Sequence, residues 1–469
     1  MLTTALRGRV GDLWDVLWHS GISNSVVAMQ QIGYLLFLRR LEGSDEKRRA
    51  AAELQNSPYK SIFASHDECR WSHFIHLPPV RMLPHLRDHV FPFVRKLSYK
   101  GQKFSDYMKD AAFAIPSAEV LAQATAIIED IYTLIEQEQV EQAHDFHDTH
   151  GDIYDHLLSE IDTAGKGDRF HTPQHIIQLV CELVDPKLEQ RICDPACGTG
   201  GFLVGAYRHI LTQHTSPEYR HTGESGMEQG LLGDQLTDEL QWEVLKEKTF
   251  HGFDFDGDMA RIGLMNLILH GIGDASLDAA RKEEAEHKRF DVVLANPPFV
   301  GDAYDDDLHD EEEGSGKHES HFVRQIFDLL KVGGRAGVIV PMGALTGTSQ
   351  MHQDMRRLLV EECALKGIIC LPSGVFQPYT DTAAAILIFT KGGHTRNVWY
   401  YDMRADGYSL DGQRRKVKEN DLPDAIIRWK KRNPETDTDH SAKAFFVPAE
   451  DIRIRDYELE IDSYREAAA

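Results

Sequence analysis

The stretch Phe290-Asp291-Val292-Val293-Leu294-Ala295-Asn296-Pro297-Pro298-Phe299 decides the reading of the chain. Its first six residues form a short apolar run that predicts a buried strand. Asn296, two prolines and an aromatic then end it. Upstream, Arg191–Cys193 is a similar run, followed by Asp194-Pro195-Ala196-Cys197-Gly198-Thr199-Gly200-Gly201-Phe202. Further runs lie at Thr249–Phe253, Arg335–Val340, Gly367–Leu371 and Ala384–Thr390, with helical patterns between them. Strands alternating with helices predict an α/β core, a mostly parallel, doubly wound sheet with helices on both faces. An insertion at 205–248 carries its own polar loop, Thr215–Gly226, and a charged helix, Asp234–Lys248.

The region before this core has a different period. Leu13-Trp14 and Val16-Leu17-Trp18 open it. A nearly all-apolar helix follows through Ile32–Leu38 and is expected to end at Arg39-Arg40. Ser117–Glu138 reads as a capped amphipathic helix with Val120, Leu121, Ala124, Ile127, Ile128, Ile131 and Leu134 on one face, and Ile153–Ile161 as a further helix. Thr163–Asp168 reads as a linker. The expected division is a helical N-terminal domain at 1–165, a core at 166–395 and a C-terminal extension at 396–469. The helical region is read as a packing module without chemistry of its own.

Charge and composition narrow the function. The 469 residues carry 51 Lys and Arg against 75 Asp and Glu, a net charge of -24. That argues against gripping nucleic acid through a broad basic face. It leaves room for local clusters, at Arg414-Arg415-Lys416-Lys418 and Arg428-Lys430-Lys431-Arg432, or for a basic partner. Such runs are usually solvated faces. Residues 302–320, with eight acids from Asp302 to Glu313, read as a mobile acidic loop. Solvation explains that loop as well as a lid or target-ordering role does. No run reaches the roughly 18 apolar residues of a membrane span, and Met1–Arg7 lacks a signal peptide's apolar core. The expectation is a cytoplasmic protein. Six cysteines without C-x-x-C pairing are expected to be reduced core residues, and no metal is called for.

Gly198, Gly200 and Gly201 follow a strand and precede a helix, where glycine lets a ligand approach the backbone and the helix N-terminus faces it. Glycine spacing alone is weak evidence. Asp194 at the strand end is suited to an amino-bearing or cationic group. Asp254, ending the next strand, is suited to both hydroxyls of a ribose, with Asp256 one step further out. A nucleoside whose amino-acid end meets Asp194 fits S-adenosylmethionine (SAM) better than NAD.

Methylation of an exocyclic amine needs acceptors for the amine's protons, because its lone pair is delocalised into the ring. The Asn296 side-chain oxygen and the Pro297 carbonyl, held by the Pro297-Pro298 pair, suit that task. Phe299 offers a face for a flipped-out base. A strand-ending turn with a buried aromatic would explain the four residues alone equally well. Asp194–Phe202 and Asp254 tip the balance to chemistry. A cytosine-C5 mechanism would need a nucleophilic cysteine, and packing explains Cys197 better.

In order and together, these stretches resemble the modification (M) subunits of type I restriction–modification systems, a family of N6-adenine DNA methyltransferases. The likeness covers almost the whole chain. Leu13-Trp14, Ser20-Gly21 and Leu35–Leu41 resemble the family's helical N-terminal domain. Phe170-His171-Thr172-Pro173 resembles the SAM-contacting segment before the core. Met265-Asn266-Leu267 with Leu269-His270-Gly271, Leu330–Arg335, Leu371–Thr380 and Trp399–Gly407 are similar to later motifs. The resemblance implies a Rossmann-like class I SAM-dependent methyltransferase core behind the helical domain. It implies SAM held by Phe170, Thr172, Pro173, Asp194, Ala196, Gly198, Thr199, Gly200, Gly201, Phe202 and Asp254. Asp274, or else Asp278, would meet the SAM adenine. Asn296, Pro297, Pro298 and Phe299 would be catalytic.

It further implies partners: double-stranded DNA, a specificity (S) subunit that reads the site, a second M copy in a complex of two M subunits with one S subunit, and a motor–nuclease (R) subunit. Family members often end in a longer charged tail than Arg465–Ala469, and the loop after Phe299 is unusually acidic for them. Two rivals stand beside this reading. Glutamine-N5 protein methyltransferases share Asn-Pro-Pro but usually follow it with Tyr. A catalytically degenerate DNA-clamping defence subunit would keep the fold without the chemistry. NAD-dependent oxidoreduction is a distant third.

Overall fold

The structure is a computed structural model that describes residues 2–22, 24–97, 108–109, 111–141, 149–163, 172–273, 276–279, 289–298 and 317–465. The chain divides into two compact units, Met1–Gly167 with Asp256–Ser276, and Asp168–Phe255 with Leu277–Ala469.

The first unit is helical. Helix α1 (Thr4–Trp18) is capped by the Thr3 side chain and buries Leu6, Val10, Leu13, Trp14 and Leu17, an apolar stripe at helical spacing. Helix α2 (Ser25–Leu54) is buried on every side through Ala28–Leu38. It does not stop at Arg39-Arg40 but runs on to Leu54. Arginine is a good helix former, so charge alone ends nothing. The extension carries two buried acids, Glu42 and Asp45, which meet Arg70 at 3.7 and 3.3 Å. Short helical turns at Trp71–Phe74, Pro79–His85 and Phe91–Lys96 lead to the longer helices α3 (Ala118–Glu141) and α4 (Thr149–Thr163), α3 burying Leu121, Ala124, Ile128, Ile131 and Ile135.

The unit takes in one segment from far along the chain. Helix α8 (Gly257–Leu269) packs on α2 and α4. There Gln30 donates to Asp258 at 3.1 Å, Arg40 donates to the Leu269 carbonyl at 2.8 Å, and His270 stands 3.4 Å from Asp155.

The second unit is built on one nine-stranded sheet. Its strands are β1 (Ile192–Asp194), β4 (Phe250–Asp254), β5 (Ser276–Ala279), β6 (Phe290–Ala295), β7 (Leu330–Pro341), β8 (Cys363–Cys370), β9 (Ala384–Lys391), β10 (Asn397–Asp402) and β13 (Ala444–Pro448), in the order β13-β10-β8-β9-β7-β6-β1-β4-β5. The first half is parallel: β4 with β1, β1 with β6, β6 with β7. Strand β9 then enters antiparallel between β7 and β8, and β13 pairs antiparallel with β10. The sheet is therefore mixed. Trp399, Tyr400 and Tyr401 are fully buried in β10, so residues beyond 396 extend the same sheet.

Both faces are covered. A Cβ placed on Gly337 of β7 would strike Val180 and Val184 of helix α5 (Gln174–Val184). Its neighbours Ala336 and Val338 point the other way, into a core shared with Val323 and Ile326 of helix α9 (Lys317–Leu329). Residues 317–320, which composition groups with the acidic loop, instead open α9. Glu319 in its first turn suits the positive end of the helix. The insertion contains a two-residue ribbon, β2 (His221–Thr222) with β3 (Glu228–Gln229), and helix α7 (Glu239–Glu247) with a complete capping box at Asp238. No described helix is long and apolar enough to cross a membrane.

Candidate active site

The sheet reverses its order at β1: the chain winds outward to β4 on one side and returns to β6 on the other. Ligands in open α/β sheets bind at such a switch point, beyond the carboxyl ends of the strands. The register places Cys193 beside Val293 and Asp194 beside Gly252. Asp194, Asp254 and Asn296 therefore end three adjacent strands at one edge of the sheet.

The turn after β1 is held by the backbone. Asp194 is buried, 1% exposed, and accepts the Ala196 N–H at 3.0 Å. Cys197 N–H reaches the Phe253 carbonyl at 2.9 Å, and Gly198 N–H reaches Asp254 Oδ2 at 2.8 Å. These bonds lock the turn after β1 onto the end of β4. Gly198 and Gly200 have φ of 49° and 78°, the left-handed region that glycine enters at little cost. A Cβ on Gly198 would meet nothing within 4 Å among the described residues, so packing does not require glycine there and its left-handed φ does. Gly201, the first residue of helix α6 (Gly201–Gln213), differs: its Cβ would strike Ile177 of α5, so glycine there serves helix packing. Phe202 is buried in the same helix.

The two acids divide their work. Asp256 caps α8, its Oδ1 accepting from Asp258 N–H at 2.8 Å and Met259 N–H at 3.2 Å. Asp254, 7% exposed, is the acid at the strand end. Burial first, and then the nearby Asp254 charge, push the Asp194 carboxyl up to about 8, against the pull of the Ala196 N–H. A cationic group bound there would reverse that. The Asp254 neighbour Phe255 is 49% exposed. No sequence signal marks it, because nothing in its identity separates an exposed ring from a core one.

The acceptor half lies at the end of β6. Asn296 Nδ2 donates to the Thr172 hydroxyl at 2.9 Å. Its Oδ1 is buried and has no hydrogen-bond partner among the described residues. A buried acceptor left unpaired is costly and marks a place where a donor is missing. Pro297 is buried behind it. The Thr172 hydroxyl spends an acceptor position on Asn296 and keeps its own proton to donate. Pro173 stands at the N-cap of α5.

Phe299, Phe170, Asp274 and the loop 301–316 lie outside the described residues, as does the side chain of Asp278. All six cysteines are free and buried. Burial drives the Cys197 thiol far above its ordinary range, which denies it a nucleophile's role. Cys69, beside exposed His66 and Glu68, is likewise pushed up by burial, to about 11.

Residues 145–469 match the family model for N-6 DNA methylase, and residues 6–128 match that for the HsdM N-terminal domain. The chain belongs to the N-6 DNA methylase family. Within that family it resembles the methylase subunit of the type I restriction enzyme EcoEI of Escherichia coli, at 27% identity over 94% of this chain and 86% of the relative. Its fold matches a chain from a type I R-M system solved for its complex assembly and conformational transition (TM-score 0.71, 24% identity, 97% of this chain and 90% of that one). It also matches the type I restriction-modification methyltransferase subunit of Streptococcus thermophilus (TM-score 0.69, 18% identity, 98% and 99%). The helical region followed by a mixed α/β methyltransferase sheet is thus the architecture of type I M subunits.

Proposed function

We propose that this chain is the modification subunit that transfers a methyl group from SAM to N6 of an adenine flipped out of duplex DNA, at sites chosen by a separate specificity subunit. One observation carries the reading: a buried carboxamide oxygen on Asn296, fixed by Thr172 and left unpaired among the described residues at the edge where Asp194 and Asp254 converge.

The residues present fit the donor. Asp254 and the Gly198 turn suit a ribose, Phe255 an adenine face, and the buried Asp194 a cationic amino-acid end. Ala196, Thr199, Gly200, Gly201 and Phe202 shape the turn, and Thr172 has a hydroxyl proton to give to the same ligand. SAM, when bound, supplies an electrophilic methyl whose sulfur departs with the bonding pair. Asn296 Oδ1 and the Pro297 carbonyl accept hydrogen bonds from the two N–H groups of the adenine amine, draw its nitrogen toward a tetrahedral shape and offset the positive charge that develops there, and the methylated nitrogen then loses one of those protons to solvent. The Pro297-Pro298 pair keeps that carbonyl rigid. Phe299 stacks the base. Phe170, Pro173 and either Asp274 or Asp278 complete the donor cleft. A second M copy, the S subunit and the R subunit are the proposed partners.

A protein-glutamine acceptor would use the same carboxamide. The match of residues 6–128 to an M-subunit N-terminal domain favours DNA. The test is Asn296→Ala in the assembled complex, with methylated adenine read by long-read sequencing and SAM binding by calorimetry. Loss of methylation with SAM binding kept is expected. Full methylation by the variant would overturn the assignment.

A further inference from the structure

The sequence holds two basic clusters, and the structure separates them. In and just after helix α10 (Leu422–Lys431) three of the four cations have partners, and Lys431 is exposed. Arg428 pairs with Asp424 at 2.9 Å, Lys430 with Glu182 at 2.8 Å, and Arg432 lies 3.6 Å over the Trp429 ring. The other cluster lies on a hairpin, strand β11 (Asp406–Tyr408) paired antiparallel with β12 (Lys416–Asn420). Arg414 is taken up by the hairpin itself, bonded to Asp406 and the Ser409 carbonyl. Arg415, Lys416 and Lys418 are exposed; Glu224 stands 3.6 Å from Lys416, and Arg415 helps, after the Ser409 hydroxyl, to hold the exposed Asp411 carboxyl low without an ion-pair contact among the described residues. In a chain of net charge -24, three outward cations on one ribbon are a local exception.

The ribbon is tied to helix α5, which begins two residues after Thr172. Fully buried Asp406 accepts from His175 Nε2 at 2.9 Å, and the His175 ring stacks on Tyr408 with centroids 4.7 Å apart. Asn420 donates to the Ser225 carbonyl at 2.8 Å, and Leu410 at the tip packs on Gly374. His175 follows Thr172 by three residues, a span of at most about 11 Å, and Thr172 holds Asn296. A buried hydrogen-bonded contact at the base and exposed cations at the edge form an arrangement for positioning a polyanion.

We propose that Arg415, Lys416 and Lys418 form a phosphate-contacting ridge that holds the duplex beside the base drawn into the Asn296 site. This rests on the methyltransferase reading above. The test compares the complex containing the triple variant Arg415→Gln, Lys416→Gln, Lys418→Gln with the unaltered complex. Anisotropy of a labelled duplex, followed from low to physiological salt, should show weaker binding to cognate and non-cognate DNA alike. The slope of log affinity against log salt should fall by about 0.9 for each phosphate no longer neutralised, so by up to about 2.7 for each copy of the chain in the complex. SAM affinity and the rate at saturating DNA should not change. Arg428→Gln with Lys430→Gln, removing the internally paired charges, should leave the slope alone. An unchanged slope in the triple variant overturns the proposal. So does failure of that variant to assemble with the specificity subunit, read by size-exclusion chromatography, which would make the ridge a protein-docking surface. Because anisotropy does not depend on catalysis, a complex that binds DNA but transfers no methyl would defeat the methyltransferase reading while the slope still decides the ridge.

Discussion

The Thr172 hydroxyl lies 2.9 Å from Asn296 Nδ2 and so fixes which end of the carboxamide faces the cleft. With the amide nitrogen engaged, Oδ1 is, in the proposed reading, the atom offered to a substrate, and it has no partner among the described residues. Thr172→Val keeps the shape and removes the acceptor. The methyl-transfer rate should fall about 10- to 100-fold, the scale of misaligning a group that orients the reacting atoms. Thr172→Ser should restore most of it. Single-turnover rates on a duplex substrate check both.

Asp254 and Asp256 are two residues apart but answer to different assays. Asp254→Ala removes the carboxylate that holds Gly198 and, in our reading, the ribose. Two hydrogen bonds to a charged group should cost SAM affinity at least about tenfold. Asp256→Ala should leave SAM affinity within a few fold and lower stability by about 1 kcal/mol, the value of an N-cap. Calorimetry and thermal unfolding of the two variants separate the roles.

The Asp194 carboxyl, pushed up to about 8 chiefly by burial, ties donor binding to pH. Below that value the free site carries a proton, and a cationic ligand favours the ionised form. Binding must then release the proton. Affinity should rise with pH, by up to about tenfold per unit, between about 6 and 8, and level off above. Calorimetry in buffers of different ionisation enthalpy should show proton release at about pH 7. Asp194→Asn should abolish that part of the dependence, and an unchanged slope in the variant would place the titrating group elsewhere.

What is legible in the sequence follows from local pattern. The runs ending in Asp194, Asp254 and Ala295 are strands because each is a short apolar segment bounded by turn chemistry. The antiparallel entry of β9 is not legible, since Ala384–Lys391 has the same composition whichever way it runs. Nor is the attachment of α8 to the helical unit, which depends on Gln30, Arg40 and Asp155 far away in sequence. The length of α2 escapes local reading because Arg39 and Arg40 look like an end, while Glu42 and Asp45 find their cation only at Arg70. At the site, the motif around Thr172 points to a SAM contact, whereas its bond to Asn296 spans 124 residues that no local pattern reports.

One pH dependence belongs to the fold rather than the cleft. His209 in α6 is buried between Glu182, 3.4 Å away, and Asp185, 3.1 Å away. Burial works against its charge, but hydrogen bonds and attraction from the two carboxylates win and raise its pKa above the ordinary histidine value. The same contacts hold Glu182 down to about 2 and keep Asp185 low, although burial alone would raise both. The signs set a window. The histidine's contribution to stability is complete below its unfolded pKa near about 6.5 and is lost as pH rises through the higher folded value. The carboxylates' contribution is complete above about 4.5 and is lost as pH falls toward about 2. Stability from this cluster should therefore be greatest near about pH 5 to 6 and decline above about 7. His209→Leu leaves two acids facing an apolar group. With Asp185 about half exposed and so partly screened, the loss should be about 1–3 kcal/mol at about pH 6. It should shrink toward about pH 9, where the unaltered protein has also lost the charge. Thermal unfolding of both proteins across that range decides it, and a loss that stays constant throughout would show that packing, not the proton, makes His209 matter.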